Sequence, residues 1–158
     1  MKEKFAIVIE PDKDLNLEIR NLKKQFENVS KGDYIKHPNH LTLLHGLFNE
    51  KELIETLETF NFNKFLLNTE KINVFENDML TTFDTLFLSV IKSQPLLDLQ
   101  MRLIILLKDI IDNKYLDSFF KNSTNYMKNL LDYGYPFVGE DWIPHFTVCS
   151  LDFFSSIE

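Results

Sequence analysis

A single cysteine, Cys149, stands in a chain of 158 residues. Neither an intrachain disulfide nor a cysteine-built zinc knuckle can form, and nothing marks an oxidising compartment, so the reducing cytoplasm is the expected setting. Basic residues are short as well, 17 Lys and Arg against 24 Asp and Glu, for a formal charge of −7. Nonspecific grip on a long polyanion rests on many Lys and Arg contacts to phosphates, so any nucleic acid recognised here is expected to be small or held locally. Long hydrophobic runs are missing too. None approaches the roughly 18 residues that cross a bilayer, and the apolar stretch near the N-terminus is too short for a signal sequence, so no membrane partner is expected.

What is present is enough for one sizeable core. The composition is 44% apolar with fifteen Phe, and no low-complexity linker interrupts the chain, which points to a single domain over 1–158. Phe5 to Ile9 reads as a strand; Leu15, Ile19, Leu22, Phe26 and Val29 then recur at helical spacing. Leu41 to Leu47 reads as a second strand, followed by a helix capped by Asn49 that presents Leu53, Leu57 and Phe60. Residues 64–75 and 84–91 are strand-like. A helix capped by Ser93, with Pro95 in its first turn, follows, and being apolar nearly all round it is expected to be buried. Residues 114–131 read as helical, "DYGYPFVGEDW" as a loop and "IPHFTVCS" as a last strand. Strand, helix, "HLTL" and then strand, helix, "HFTV" repeat the same order. This suggests a diverged duplication into lobes of about 1–80 and 81–158.

The chemistry concentrates in two copies of one tripeptide, His40-Leu41-Thr42 and His145-Phe146-Thr147. Residues two apart on a strand share a face, so imidazole and hydroxyl project together while Leu41, Leu43, Phe146 and Val148 point to the other side, toward a core. Two such tripeptides arise by chance in roughly two sequences per hundred of this composition, before strand context is required. The pair suits a phosphodiester. One imidazole can take a proton from the attacking oxygen while the other gives one to the leaving oxygen, and an ordinary pKa of about 6.5 serves both tasks near neutrality. The threonine hydroxyls can donate to the nonbridging oxygens as charge builds on them. No metal or other cofactor is called for. A zinc site made from His37, His40, His45 and His145 would need the first three to converge from different faces of one strand. His45 lies an odd number of residues from His40 and is expected to be structural. Cys149 shares parity with His145 and Thr147, but a small buried hydrophobe is its expected role. Tyr34, Tyr135, Phe137 and Trp142 flank the motifs and are candidates to stack on a base, or to cap the core.

The segments "HLTL" and "IPHFTV" resemble the paired signatures of the 2H phosphoesterase superfamily, which includes the 2′-5′ RNA ligase-like proteins and cyclic nucleotide phosphodiesterases. The resemblance spans residues 4–149. It implies an α+β, two-lobed duplicated fold, with antiparallel sheets flanking a central cleft and helices outside. It also implies metal-independent chemistry on 2′,3′-cyclic phosphates or on 2′-5′ and 3′-5′ bonds, with His40 and His145 catalytic and Thr42 and Thr147 binding phosphate. The motifs lie 145 − 40 = 105 residues apart, more than is usual in that family, which marks 112–140 as an insertion beside the substrate. The expected protein is thus a monomeric phosphodiesterase acting on a small nucleotide or RNA end. A nucleotide-binding module without turnover, an RNA ligase and a purely structural domain are the competing readings.

Overall fold

Aspartate and asparagine begin the first two helices for the same physical reason: each supplies a side-chain oxygen to an amide that the helix leaves without a partner. Asp12 accepts from the Leu15 amide at 2.9 Å and starts α1, Lys13–Gln25. Asn49 accepts from the Glu52 amide at 3.2 Å and starts α2, Glu50–Leu57. The computed structural model describes residues 1–78, 81–116, 120 and 124–152. Around these helices run β1 (Glu3–Ile9), β2 (Leu41–Phe48), β3 (Thr69–Phe75), β4 (Asp84–Val90), α3 (Gln94–Leu107), α4 (Thr124–Tyr133) and β5 (His145–Leu151).

The protein is α+β, with four described helices and one five-stranded antiparallel sheet in the order β1-β2-β5-β4-β3. A pair of sheets was expected. All five strands instead join one sheet, because the two His-x-Thr strands hydrogen-bond to each other at its centre. By contact the chain divides into two compact units, each drawn from three stretches. One comprises Met1–Ile7, Leu43–Leu67 and Lys92–Ile143; the other comprises Val8–Thr42, Asn68–Ile91 and residues from Pro144 onward.

Several boundaries differ from the sequence pattern for tertiary reasons. The periodicity that runs on to Val29 ends as helix at Gln25, because the chain turns through Phe26 and the Lys31 amide is drawn to the Ser150 carbonyl at 2.7 Å. Strand β3 starts at Thr69 rather than 64, where its partner β4 runs out at Val90. Ser93 does sit at the start of α3 with extended backbone, yet its hydroxyl makes no capping bond and is buried without a partner. The helix expected over 114–131 is a 3-10 turn at Lys114–Leu116 and then α4; residues 117–119 and 121–123 of that expectation lie outside the described residues.

In the first unit, α3 buries Leu96, Leu99, Leu103, Ile104 and Leu107, each worth about 1.5–3 kcal/mol on burial. Two buried amides on that unit replace strand partners. Gln100 donates to the Leu43 and Phe137 carbonyls at 3.1 and 3.0 Å, and Asn113 donates to those of His45 and Gly134 at 3.0 and 2.9 Å. They satisfy backbone acceptors that would otherwise be buried unpaired. In the second unit, Leu22 of α1, Phe26 just past its end and Ile35 pack on Leu86, Val148, Cys149 and Leu151, covering one face of β4 and β5.

Candidate functional site

The four motif residues belong to the second unit, where β2 and β5 lie side by side. Leu41 stands opposite Phe146 in the antiparallel register, which by alternation sets His40 across from Thr147 and Thr42 across from His145. Leu41 and Phe146 are fully buried, whereas His40, Thr42, His145 and Thr147 are all half-buried. Thr42, His145 and Thr147 therefore share one face of the strand pair, and His40 immediately precedes β2 beside them. The two histidines, like the two threonines, stand on a diagonal of that pair, a separation of about 7–8 Å between backbones.

Strand β4 completes the row. Ser89 is the partner of His145 and Phe87 is the partner of Thr147. The Ser89 hydroxyl is already committed, donating to the Lys71 carbonyl at 2.9 Å and accepting from the Lys71 amide at 3.2 Å. It thereby fills the irregularity in the β3–β4 register between Thr69 and Ile72. Phe87 stacks on Phe75 with ring centroids 4.0 Å apart, and the His145 ring lies 5.1 Å from Phe75 and 5.0 Å from Phe87. Two phenyl rings thus wall His145 on one side. Neither was singled out from the sequence. The alternation of Thr85, Phe87 and Ser89 in "DTLFLSV" carried the signal, but only the pairing of β4 with β5 says what that face borders.

The His40 ring is oriented by backbone. Its Nδ1 lies 2.8 Å from the Pro38 carbonyl, and a carbonyl oxygen can only accept, so Nδ1 carries the proton of that bond. In the neutral ring Nε2 is then left as the basic nitrogen.

The other histidines go elsewhere. His37 is exposed and lies with its ring 5.2 Å from that of Tyr34, the single member of the aromatic set found in the same unit as the motifs. His45 belongs to the first unit and meets Tyr135 edge-on at 5.5 Å. Burial, together with the charge of Lys4, pushes its imidazole down to about 4. Tyr135 and Trp142 are 2% and 4% exposed and Phe137 packs on Leu116, Phe120 and Leu130, so these three candidates lie in the first unit, packed among its side chains. Tyr135 and Trp142 are buried and Phe137 is half-buried.

Cys149 departs from its expected parity. Leu86 pairs with Cys149 but Phe87 pairs with Thr147, so Val148 is an extra residue on β5 and the alternation flips there. Cys149 consequently faces Leu86 in the apolar cluster beneath α1, with its thiol pushed up to about 11 by burial against the opposing effect of Lys23. Among the described residues no three His, Cys, Asp or Glu side chains gather closely enough to hold a metal ion, and no helix is long and apolar enough to cross a membrane. Comparison with protein-family models, with curated proteins and with solved structures finds no match for this chain.

Proposed function

We propose that this protein is a metal-independent phosphodiesterase of the 2H phosphoesterase type, acting on a nucleotide or RNA-end phosphodiester. The observation that carries the reading is the pairing of Leu41 with Phe146, which brings the two His-x-Thr copies beside each other. The duplicated, two-lobed form of that fold is part of the proposal. Its support is the order strand, helix, His-x-Thr strand, met as β1-α1-β2 and again in β4, α3 and β5.

On a 2′,3′-cyclic phosphate the Nδ1 bond to the Pro38 carbonyl leaves His40 to act through Nε2 in either role, and the proposal takes it as the base. His40 Nε2 takes a proton from the attacking water as its oxygen bonds to phosphorus. The bond from phosphorus to one ribose oxygen breaks, and a protonated His145 delivers its proton to that oxygen. The Thr42 and Thr147 hydroxyls donate to the nonbridging oxygens, whose charge grows in the transition state. The proton on His40 and the vacancy on His145 then exchange with solvent to reset the pair. Phe75 and Phe87 hold the His145 ring against rotation, which matters because misplacement by about 1 Å costs on the order of a hundredfold in rate.

The test is turnover on a panel of 2′,3′-cyclic mononucleotides, 2′-5′ and 3′-5′ dinucleotides and ADP-ribose cyclic phosphate, with the product resolved as a 2′- or 3′-phosphate. At least one should be cleaved by the wild type. His40→Ala and His145→Ala should each abolish turnover while circular dichroism stays native, and the double variant should lose little more than either single, as groups acting in one step do. Thr42→Val and Thr147→Val should each lower kcat by about 10²–10³. Full activity in either histidine variant overturns the assignment.

A further inference from the structure

The sign of the protein's charge is inverted at a hollow in the second unit. Between α1 and residues 35–39 lies a hollow of about 420 Å³, and none of the four motif side chains lines it. Three of its ten lining residues are basic (Arg20, Lys23 and Lys36) and one, Glu10, is acidic, whereas the whole chain carries 17 basic and 24 acidic residues. Asn16, Arg20 and Lys23 follow i, i+4, i+7 spacing, so a single face of α1 supplies them.

Lys23 is the unusual member. It is only 6% exposed, although a buried lysine ordinarily needs a charged partner. Its Nζ donates to the Tyr34 and His37 carbonyls at 3.2 and 2.9 Å, which uses two of three N–H groups and neutralises none of the charge. Burial holds this amine below the usual lysine range. Arg20 is exposed at the same hollow, and Lys36 shares its charge with Asp33 at 3.4 Å. Asn39 is fixed to α1 by its Nδ2, which donates to the Asn16 Oδ1 at 2.8 Å, so the wall opposite the helix is held in place without a ligand.

We propose that this hollow is a second binding site, for a small phosphomonoester that also carries hydroxyls, such as a sugar phosphate or a ribonucleotide. The phosphoryl group accepts from Arg20 and from the remaining N–H of Lys23, with Lys36 at the rim. Glu10 disfavours a second anionic group beside it and accepts from a ligand hydroxyl. The volume lies within the 300–1,000 Å³ range of small-molecule sites. Occupancy also bears on the motifs, since Pro38 lines the hollow and its carbonyl holds the His40 ring. The proposal does not rest on the phosphodiesterase reading, because none of the four motif residues lines the hollow.

Calorimetric titration of the full chain with inorganic phosphate, ribose 5-phosphate, AMP and ribose tests it. Ribose 5-phosphate and AMP should bind, inorganic phosphate more weakly, and ribose not at all. Arg20→Ala should raise Kd at least tenfold, about 1.4 kcal/mol, and Glu10→Gln should weaken the hydroxylated ligands toward the affinity of inorganic phosphate. His145→Ala should leave the affinity for ribose 5-phosphate unchanged. Lys23→Met should abolish binding; if that variant unfolds, Arg20→Ala decides alone. Absence of binding by all three phosphorylated probes up to about 10 mM, a Kd beyond any useful affinity, overturns the proposal. So does binding that survives Arg20→Ala but is lost in His145→Ala, which would move the ligand to the motif face.

Discussion

His45 shows how burial shapes the character of a side chain. It lies on β2 five residues past His40, which immediately precedes that strand, yet its Nδ1 is buried without a hydrogen-bond partner and the ring is held neutral. Its imidazole titrates at about 4 in the folded protein and near 6.5 when unfolded. Between those values the unfolded chain binds a proton that the native state refuses, so stability rises with pH across this window. Above pH 6.5 there is no cost; as pH falls through 4 the full cost, about 3 kcal/mol, is felt. Denaturant unfolding at intervals from pH 7.5 to 4 checks this. His45→Asn should flatten the slope relative to wild type between pH 6.5 and 4, and an unchanged slope would mean that another group carries it.

Strand β2 performs two tasks along its length, and its burial pattern changes phase between them. Leu41 and Leu43 are buried beside the half-buried Thr42, whereas from Leu44 onward it is Leu44, Gly46 and Phe48 that are buried. The reason at Gly46 is close approach. A Cβ there would meet the Ile111 Cγ1 at 2.6 Å and Cδ1 at 2.8 Å, distances a packed core does not allow. Gly46→Ala should therefore destabilise the protein by about 1–3 kcal/mol through overpacking. A lowered denaturant midpoint with an unchanged m-value is the expected readout. Wild-type stability would show that Ile111 can move aside. The sequence alone gives little warning of this position, since a glycine inside a strand pattern reads equally as a bulge or a weak spot.

For the molecule as a whole, charge decides the size of substrate. A chain of net charge −7 can neutralise few phosphates at once, and counterion release makes each neutralised phosphate visible as salt dependence. Binding of a short single-stranded substrate to the His40→Ala protein should give a slope of log K against log salt of about −1, and lengthening the strand should not steepen it. Turnover should be unaffected by EDTA after extensive dialysis, since the proposed proton transfers use imidazoles alone. A steep slope would point to an extended nucleic-acid track; activity lost with chelator and restored by zinc or manganese would overturn the mechanism.

Local chemistry made much of this legible in advance. Alternation in "HLTL" and "HFTV" set imidazole and hydroxyl on one side of each strand and leucine, phenylalanine and valine on the other, because the strand period of two is a property of the backbone itself. The strands, the Asn49 cap and the face of α1 likewise follow from residue types within a few positions of one another. What the chain could not say locally was which strand lies beside which. Only the tertiary structure decided that β2 and β5 are neighbours in one sheet, that Phe75 and Phe87 wall His145, and that an extra residue at Val148 turns Cys149 into the core. It also decided that Tyr135, Phe137 and Trp142 lie in the first unit, with Tyr135 and Trp142 buried there. Register between strands more than a hundred residues apart is fixed by how their buried faces pack against helices and by where other side chains take over the backbone bonds, as Gln100 and Asn113 do for β2. Those are sums over the whole molecule, which no short stretch of sequence contains.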